Sequence, residues 1–268
     1  MSFAHLLILG AIAGLTIFLG LPVAALNRIG AKAKSVLTGI AIGILLFLAV
    51  EILSKVLEAG QQTLLGATKG QLTTGYASLT LALLVVGILS GLLGIPLIER
   101  GIIKPLTSRK TPPDGRTAPS PTSLSLAIAS GIGLHNFGEG LAIGQSAATG
   151  AISLAVLLIV GFGLHNMTEG FGVAAPLTGT KPSGLFLVGA GLIAGGPTFV
   201  GTLVGSIWTS NLAMVIFLSI AGGSLVYVTL ELLAIGRNSL AKLPLLASIA
   251  GGFMVGYLTD LITGVAGA

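Results

Sequence analysis

The hydrophobic pattern of the chain divides it into eight long apolar runs separated by short polar segments. Each run is close to the roughly 20 residues that an α-helix needs to cross a bilayer. The short alternating segments of an outer-membrane β-barrel are absent. The pattern therefore predicts an all-α membrane protein with eight transmembrane helices, at 4–26, 33–57, 77–98, 123–147, 152–177, 183–207, 211–235 and 243–266.

The composition is typical of a protein embedded in a lipid bilayer. Of the 268 residues, 53 % are hydrophobic and only 8 % are charged, whereas soluble domains carry about 25 % charge. The 41 glycines follow no collagen-like period and suit close helix contacts in lipid. The chain has no cysteine, which excludes disulfides, thiolate metal sites and a cysteine nucleophile.

The distribution of lysine and arginine predicts the orientation in the membrane. Eight spans create two sets of loops, and the set that includes the termini contains only Lys55 and Lys69. The positive-inside rule therefore places both termini outside, in a multi-pass protein of a plasma or bacterial inner membrane. This explains the net charge of +5 better than nucleic acid, which is not an expected partner. The other set of loops holds Arg28, Lys32, Lys34, Arg100, Lys104, Arg109, Lys110, Arg116, Lys181, Arg237 and Lys242.

One polar segment is longer than the others and divides the chain. Residues 101–122 are rich in proline, basic residues and Ser/Thr, a composition typical of a flexible linker. We expect a single transmembrane domain, 1–268, in which this cytoplasmic loop separates helices 1–3 (1–100) from helices 4–8 (123–268).

Polar residues within the apolar runs include a short repeat. The segment 131–140, GIGLHNFGEG, matches 161–170, GFGLHNMTEG, at seven of ten positions. Histidine and glutamate at i, i+4 lie on one helix face, with asparagine beside them. The two helices are joined by a few residues and must pack antiparallel, so their polar faces can meet near the midplane. The residues concerned are His135, Asn136 and Glu139 in helix 4, and His165, Asn166 and Glu169 in helix 5.

This set of side chains predicts a metal site between helices 4 and 5. Imidazole nitrogen with carboxylate and amide oxygen suits a borderline or hard divalent cation. A single intramembrane histidine is often only a hydrogen-bonding contact between helices, but a duplicated motif favours binding. Two further intramembrane carboxylates, Glu231 and Glu51, are candidates for a transport pathway, with a structural role as the alternative for each.

The repeated motif resembles those of the ZIP (Zrt/Irt-like) family of divalent metal transporters, in particular its bacterial GufA-like branch. The resemblance extends to the eight spans, the external termini and the long loop after helix 3. It implies that Glu139 and Glu169 bridge two metal ions, with the two histidines favouring one ion and the two asparagines the other. It also implies a homodimer and an elevator-like movement of helices 1, 4, 5 and 6.

Three departures from the family pattern concern the site and the loop. Gly138 and Thr168 replace the usual motif prolines, and Gly196-Pro197 stands where many relatives have a Glu-Pro metal-ligand pair in helix 6. The long loop contains no histidine, so the metal-sensing cluster of many relatives is absent.

The sequence therefore predicts a transporter and not an enzyme. The expected cargo is Zn²⁺, or a related ion such as Cd²⁺, Fe²⁺ or Mn²⁺, moved into the cytoplasm, and no resident cofactor is expected. Two alternatives remain open. One is a metal sensor or non-transporting paralogue, and the other is an intramembrane metallohydrolase, whose His-Glu-x-x-His spacing differs from the spacing here.

Overall fold

The computed structural model describes residues 2–25, 30–98, 120–208 and 210–266, and these ranges are almost entirely helical. They form eight α-helices with three short 3-10 turns, two after α1 (Thr16–Leu19 and Leu21–Ala25) and one after α5 (Ala175–Leu177). The helices are α1 (Phe3–Leu15), α2 (Ala31–Thr68), α3 (Thr74–Ile98), α4 (Pro121–Ala148), α5 (Ile152–Ala174), α6 (Gly184–Ile207), α7 (Asn211–Ser239) and α8 (Lys242–Ala266).

Each predicted run contains one of these helices, but the first run, 4–26, is α-helical only as far as Leu15 and continues as the two 3-10 turns. The bounds of α2 and α4 also differ from the prediction. The helix α2 extends to Thr68, eleven residues beyond the predicted end of the span, because the polar residues after position 57 include good helix formers such as Glu58 and Gln62. The predicted loop 101–122 is too long by two residues, since α4 starts at Pro121 with the Ser120 hydroxyl as its N-cap. Residues 101–119 of that loop lie outside the described residues.

Membrane-spanning character is clear for part of this helical array. Among the described residues, five helices are long and apolar enough to cross a bilayer, namely α2, α3, α6, α7 and α8, and 3–19 form a shorter apolar helix. Their outward faces carry many exposed large apolar side chains, such as Leu185 and Ile207, as expected for surfaces in contact with lipid. The count of eight spans and the external termini remain predictions.

Glycines bring the main chains of α1, α4, α5 and α6 into direct contact. The most extensive helix contact of the molecule joins α4 and α6. A Cβ atom at any of the glycines concerned would collide with a carbonyl oxygen of the neighbouring helix. We call these four helices the first group. The contacts are Gly140 with Thr198, Gly144 with Thr202 and Gly201 with Phe137 (α4–α6), Gly14 with Gly195 (α1–α6), and Gly170 with Ile17 (α5 with the turn after α1).

The helices α2, α3, α7 and α8, the second group, contain two pairs of the same kind. Main chains meet between α2 and α8 at Gly43 and Gly252, and between α3 and α7 at Gly91 and Gly223. The two pairs adjoin through side chains, since a Cβ at Gly222 of α7 would meet the Leu53 side chain of α2.

Glycine contacts between the two groups are of a different kind. A Cβ atom at Gly138 of α4 would meet only the Leu218 side chain of α7, at 3.3 Å. One at Gly172 of α5 would lie 3.7 Å from the Leu45 side chain of α2. At these positions the groups therefore meet through side chains, while within each group the closest helices meet main chain to main chain.

Candidate metal site

The helices α4 and α5 pack antiparallel, as predicted, and one residue of the second motif, Glu169, faces the first motif. The turn between α4 and α5 is tight, and Gly150 adopts a positive φ of 83° there, a conformation that favours glycine. Ser125, near the start of α4, donates a 2.9 Å hydrogen bond from its hydroxyl to the carbonyl of Val173, near the end of α5. The motifs lie between these two fixed points, near the middle of each helix.

Asn136 and Glu169 make the direct link between the two motifs. The Asn136 amide nitrogen donates to Glu169 Oε2 at 2.9 Å and to the carbonyl oxygen of Ala194 on α6 at 3.0 Å. Both side chains are fully buried. The asparagine thus ties a buried carboxylate of α5 to α4 and α6, a contact with the α6 main chain that the sequence did not predict.

His135 lies between the two carboxylates of the repeat. Its Nε2 atom is 3.1 Å from Glu139 Oε1 and 3.9 Å from Glu169 Oε1. All three side chains are buried, with Glu139 the most exposed at 5 %. Burying such groups is costly unless they are paired or bind a cation. Oε2 of Glu139 and Oδ1 of Asn136 have no hydrogen-bond partner among the described residues.

Two motif residues of α5 remain. Asn166 points away from the cluster, and the side chain of His165 is not described. Asn166 donates from its amide to the carbonyl oxygen of Ala13 on α1, at 2.9 Å. This hydrogen bond therefore links α5 to α1, and not to Glu139 or Asn136 of α4. The side chain of His165 lies outside the described part of the structure, so its position in the site stays a prediction.

The described side chains do not by themselves form a ready-made metal cage. Within the part of the chain that the structure describes, no three His, Asp or Glu residues are arranged as a ligand set. What the structure shows is a buried cluster, here called the polar cluster, of His135, Asn136, Glu139 and Glu169. One imidazole, one amide oxygen and two carboxylates are donors that a divalent cation of the Zn²⁺ type accepts.

The second group contributes charge to the cluster through α2. Glu51, a candidate from the sequence, interacts electrostatically with His135 together with Glu139 and Glu169. Lys55, which we assigned to the outer loops, lies instead inside α2, where its ammonium group forms an ion pair with Glu51. The i, i+4 spacing of Glu51 and Lys55 is the sequence signal for this pair.

Two other positions named from the sequence lie away from the cluster. Glu231 is partly exposed on α7. It lies seven residues, or about 10 Å along the helix, beyond Ser224 toward the predicted cytoplasmic end. Ser224 is the residue that adjoins Gly131 of α4. A Cβ at Gly196 would meet nothing within 4 Å. Its neighbours on the same face of α6, Leu192 and Val200, are exposed. The Cβ atom of a glutamate at position 196 would therefore lie on a surface that faces lipid.

No family model matches the chain, and no curated protein matches its sequence.

Proposed function

We propose that the protein is a membrane transporter that moves Zn²⁺, or a related divalent transition metal ion, into the cytoplasm through the polar cluster. The observation that carries the proposal is the burial of His135, Glu139 and Glu169 together in the middle of helices of a highly apolar chain. Intramembrane ionisable residues are expensive and mark ion pathways in most settings where they occur.

The side-chain chemistry of the cluster supports a dehydrated cation as its ligand. A divalent ion leaves water only if other donors replace its hydration shell, and the cluster presents an imidazole nitrogen and several oxygens. The Glu139 Oε2 and Asn136 Oδ1 atoms, which have no hydrogen-bond partner among the described residues, are acceptors that such an ion would use. His165, on the facing motif, would complete the set.

The arrangement of the glycines supports alternating access as the mechanism. The first group is joined by main-chain contacts, and at the glycines described it adjoins the second group through side chains. Packed helices can slide past one another in shear movements, and we infer that this sliding occurs at the side-chain interface between the two groups. A movement of α1, α4, α5 and α6 against the other helices would carry the cluster past α2 and α7, in agreement with the resemblance to ZIP transporters.

The first test is Zn²⁺ and Cd²⁺ uptake into proteoliposomes that contain the purified protein. We expect the wild type to accumulate metal and the double variant Glu139→Gln, Glu169→Gln to lose at least about 90 % of uptake, since the neutral amides cannot replace two charged ligands. Asp114→Asn is the matched control. It removes a carboxylate of the predicted loop 101–122, outside the eight predicted spans, and it should transport like the wild type.

Binding and uptake measured together separate transport from the alternative functions. If the wild type binds metal without transporting it, and the double variant does not bind it, the protein is a metal sensor and not a transporter. Uptake that persists in the double variant would remove the polar cluster from the transport path. Cleavage of a membrane substrate that depends on Glu139 would indicate a metallohydrolase.

A further inference from the structure

A lysine lies at the depth of the polar cluster, in the opposing helix group. Contacts with α7 set the register of the two helices: Leu218 and Ser224 adjoin Gly138 and Gly131 of α4, while Gly222 and Gly236 adjoin Leu53 and Ile42 of α2. Because α7 runs antiparallel to both helices, Lys55 lies at about the level of His135. A lysine at membrane depth is rare and calls for a function.

The Lys55 ammonium group interacts both with a residue of its own helix and with the polar cluster. Its ammonium group is paired with Glu51 one turn away, and it interacts electrostatically with Glu139 of α4 as well as with Asp260 of α8. The packing supports this proximity. Leu218 of α7 lines one cavity with Lys55, and it is also the side chain that a Cβ at Gly138, next to Glu139, would meet.

The cavity gives Lys55 access to water from the outer end of the helices. It has a volume of about 660 Å³ and lies between α2, α3 and the start of α7, lined by Glu58, Gln62, Tyr76 and Asn211 among others. The Lys55 side chain is 47 % exposed, whereas that of Glu51 is only 14 % exposed. A cation that reaches the cluster along this cavity meets the Lys55 ammonium group first.

The charges around His135 can be counted. The polar cluster contains two carboxylates, those of Glu139 and Glu169, which lie 3.1 and 3.9 Å from His135 Nε2. Glu51 of α2 adds a third carboxylate that acts on His135, and it is the one paired with the Lys55 ammonium group. Three negative charges and one positive charge leave a net charge of −2, which a single divalent cation balances.

We propose that Lys55 is a resident cation of this site, which neutralises one of three carboxylates so that the cluster holds one divalent ion and not two. This inference rests on the proposed function, because it assumes that the cluster binds the transported metal. It assigns to the pair Glu51–Lys55 a role in setting how many ions bind and how tightly, with no direct ligand role for Lys55.

The test is a Zn²⁺ titration of the purified full-length chain in lipid nanodiscs, which gives the number of ions per chain and the Kd. We expect one ion for the wild type. Lys55→Gln should bind the first ion on the order of tenfold more tightly, because a positive charge is removed from a low-dielectric site, and should bind a second ion. The matched control is Lys69→Gln, which removes a positive charge from the exposed end of α2 and should behave like the wild type.

Two further variants keep the proposal falsifiable if Lys55→Gln fails to fold. Glu51→Gln should weaken Zn²⁺ binding by on the order of tenfold. Adding Lys55→Gln to it should restore one ion per chain with nearly wild-type affinity, because the net charge returns to that of the wild type. A merely structural pair would show no such rescue.

The outcomes also distinguish this inference from the proposed function. Equal stoichiometry and affinity in the wild type and Lys55→Gln, or no rescue of Glu51→Gln, would overturn the role of Lys55 while leaving transport through the cluster intact. No Zn²⁺ binding by the wild type, or binding that survives Glu139→Gln, Glu169→Gln, would overturn both.

Discussion

At the scale of single residues, the site is built from a repeat whose two copies have diverged in role. The asparagine of α4 binds a carboxylate and the α6 main chain, while the asparagine of α5 binds the α1 main chain. The sequence identified both asparagines, because the repeat is visible without a structure. It could not assign their partners, since a helical spacing fixes the face of a side chain but not which neighbouring helix packs there.

The different partners predict different costs for removing the two amides. Asn136→Ala loses a hydrogen bond to a buried carboxylate, worth about 1.5–3 kcal/mol, whereas Asn166→Ala loses one to a neutral carbonyl, worth about 0.5–1.5 kcal/mol. We therefore expect Asn136→Ala to unfold at the lower temperature and also to weaken Zn²⁺ binding. Thermal unfolding of both variants in the same detergent measures this difference, and equal midpoints would show that the Glu169 contact adds nothing.

At the scale of helices, the hydrophobic pattern was a good guide to where each element lies but not to how elements pack. Every predicted run contains an α-helix, and the largest differences are the early end of α1 at Leu15 and the extension of α2 from the predicted end at 57 to Thr68. The glycines were recognised as close-packing residues, yet their partners depend on the tertiary arrangement. Two adjacent glycines of α6, Gly195 and Gly196, show why composition alone is insufficient.

These adjacent glycines predict opposite effects of the same substitution. A Cβ at Gly195 would collide with the carbonyl oxygen of Gly14, while one at Gly196 would meet nothing within 4 Å. Gly195→Ala should therefore destabilise the protein by separating α1 from α6. Gly196→Ala should be neutral, or stabilising by about 0.5–1 kcal/mol through the higher helix propensity of alanine.

The two variants can be compared by thermal unfolding and by the yield of folded protein in detergent. Because they differ by one position on the same helix, expression and detergent effects are shared. A Gly195→Ala protein as stable as the wild type would contradict the close main-chain contact between α1 and α6.

At the scale of the whole molecule, the orientation of the bundle is the largest prediction that the structure leaves open. It depends on the asymmetry of lysine and arginine between the two sets of loops. The structure places Lys55 within α2 and Lys69 directly after it, while Lys32 and Lys34 of the other set lie in the first turn of the same helix.

The chain contains no cysteine, so single cysteines can report the orientation directly. The variant Ala151→Cys, in the exposed turn between α4 and α5, should react with a membrane-impermeant maleimide on intact cells. A cysteine at Ser183, before α6, should react only after the membrane is permeabilised. The reverse pattern would invert the topology and with it the predicted direction of transport.

The main-chain contacts of the first group have a consequence for hydration. Where α4 and α6 meet at Gly140 and Gly201, there is no gap that a water molecule could occupy, so this interface stays dry in every conformation that preserves it. Wetting of the polar cluster must therefore follow the side-chain boundary along α2 and α7, where a small separation of the two groups opens space. The same boundary that permits sliding thus determines from which side the buried carboxylates are hydrated.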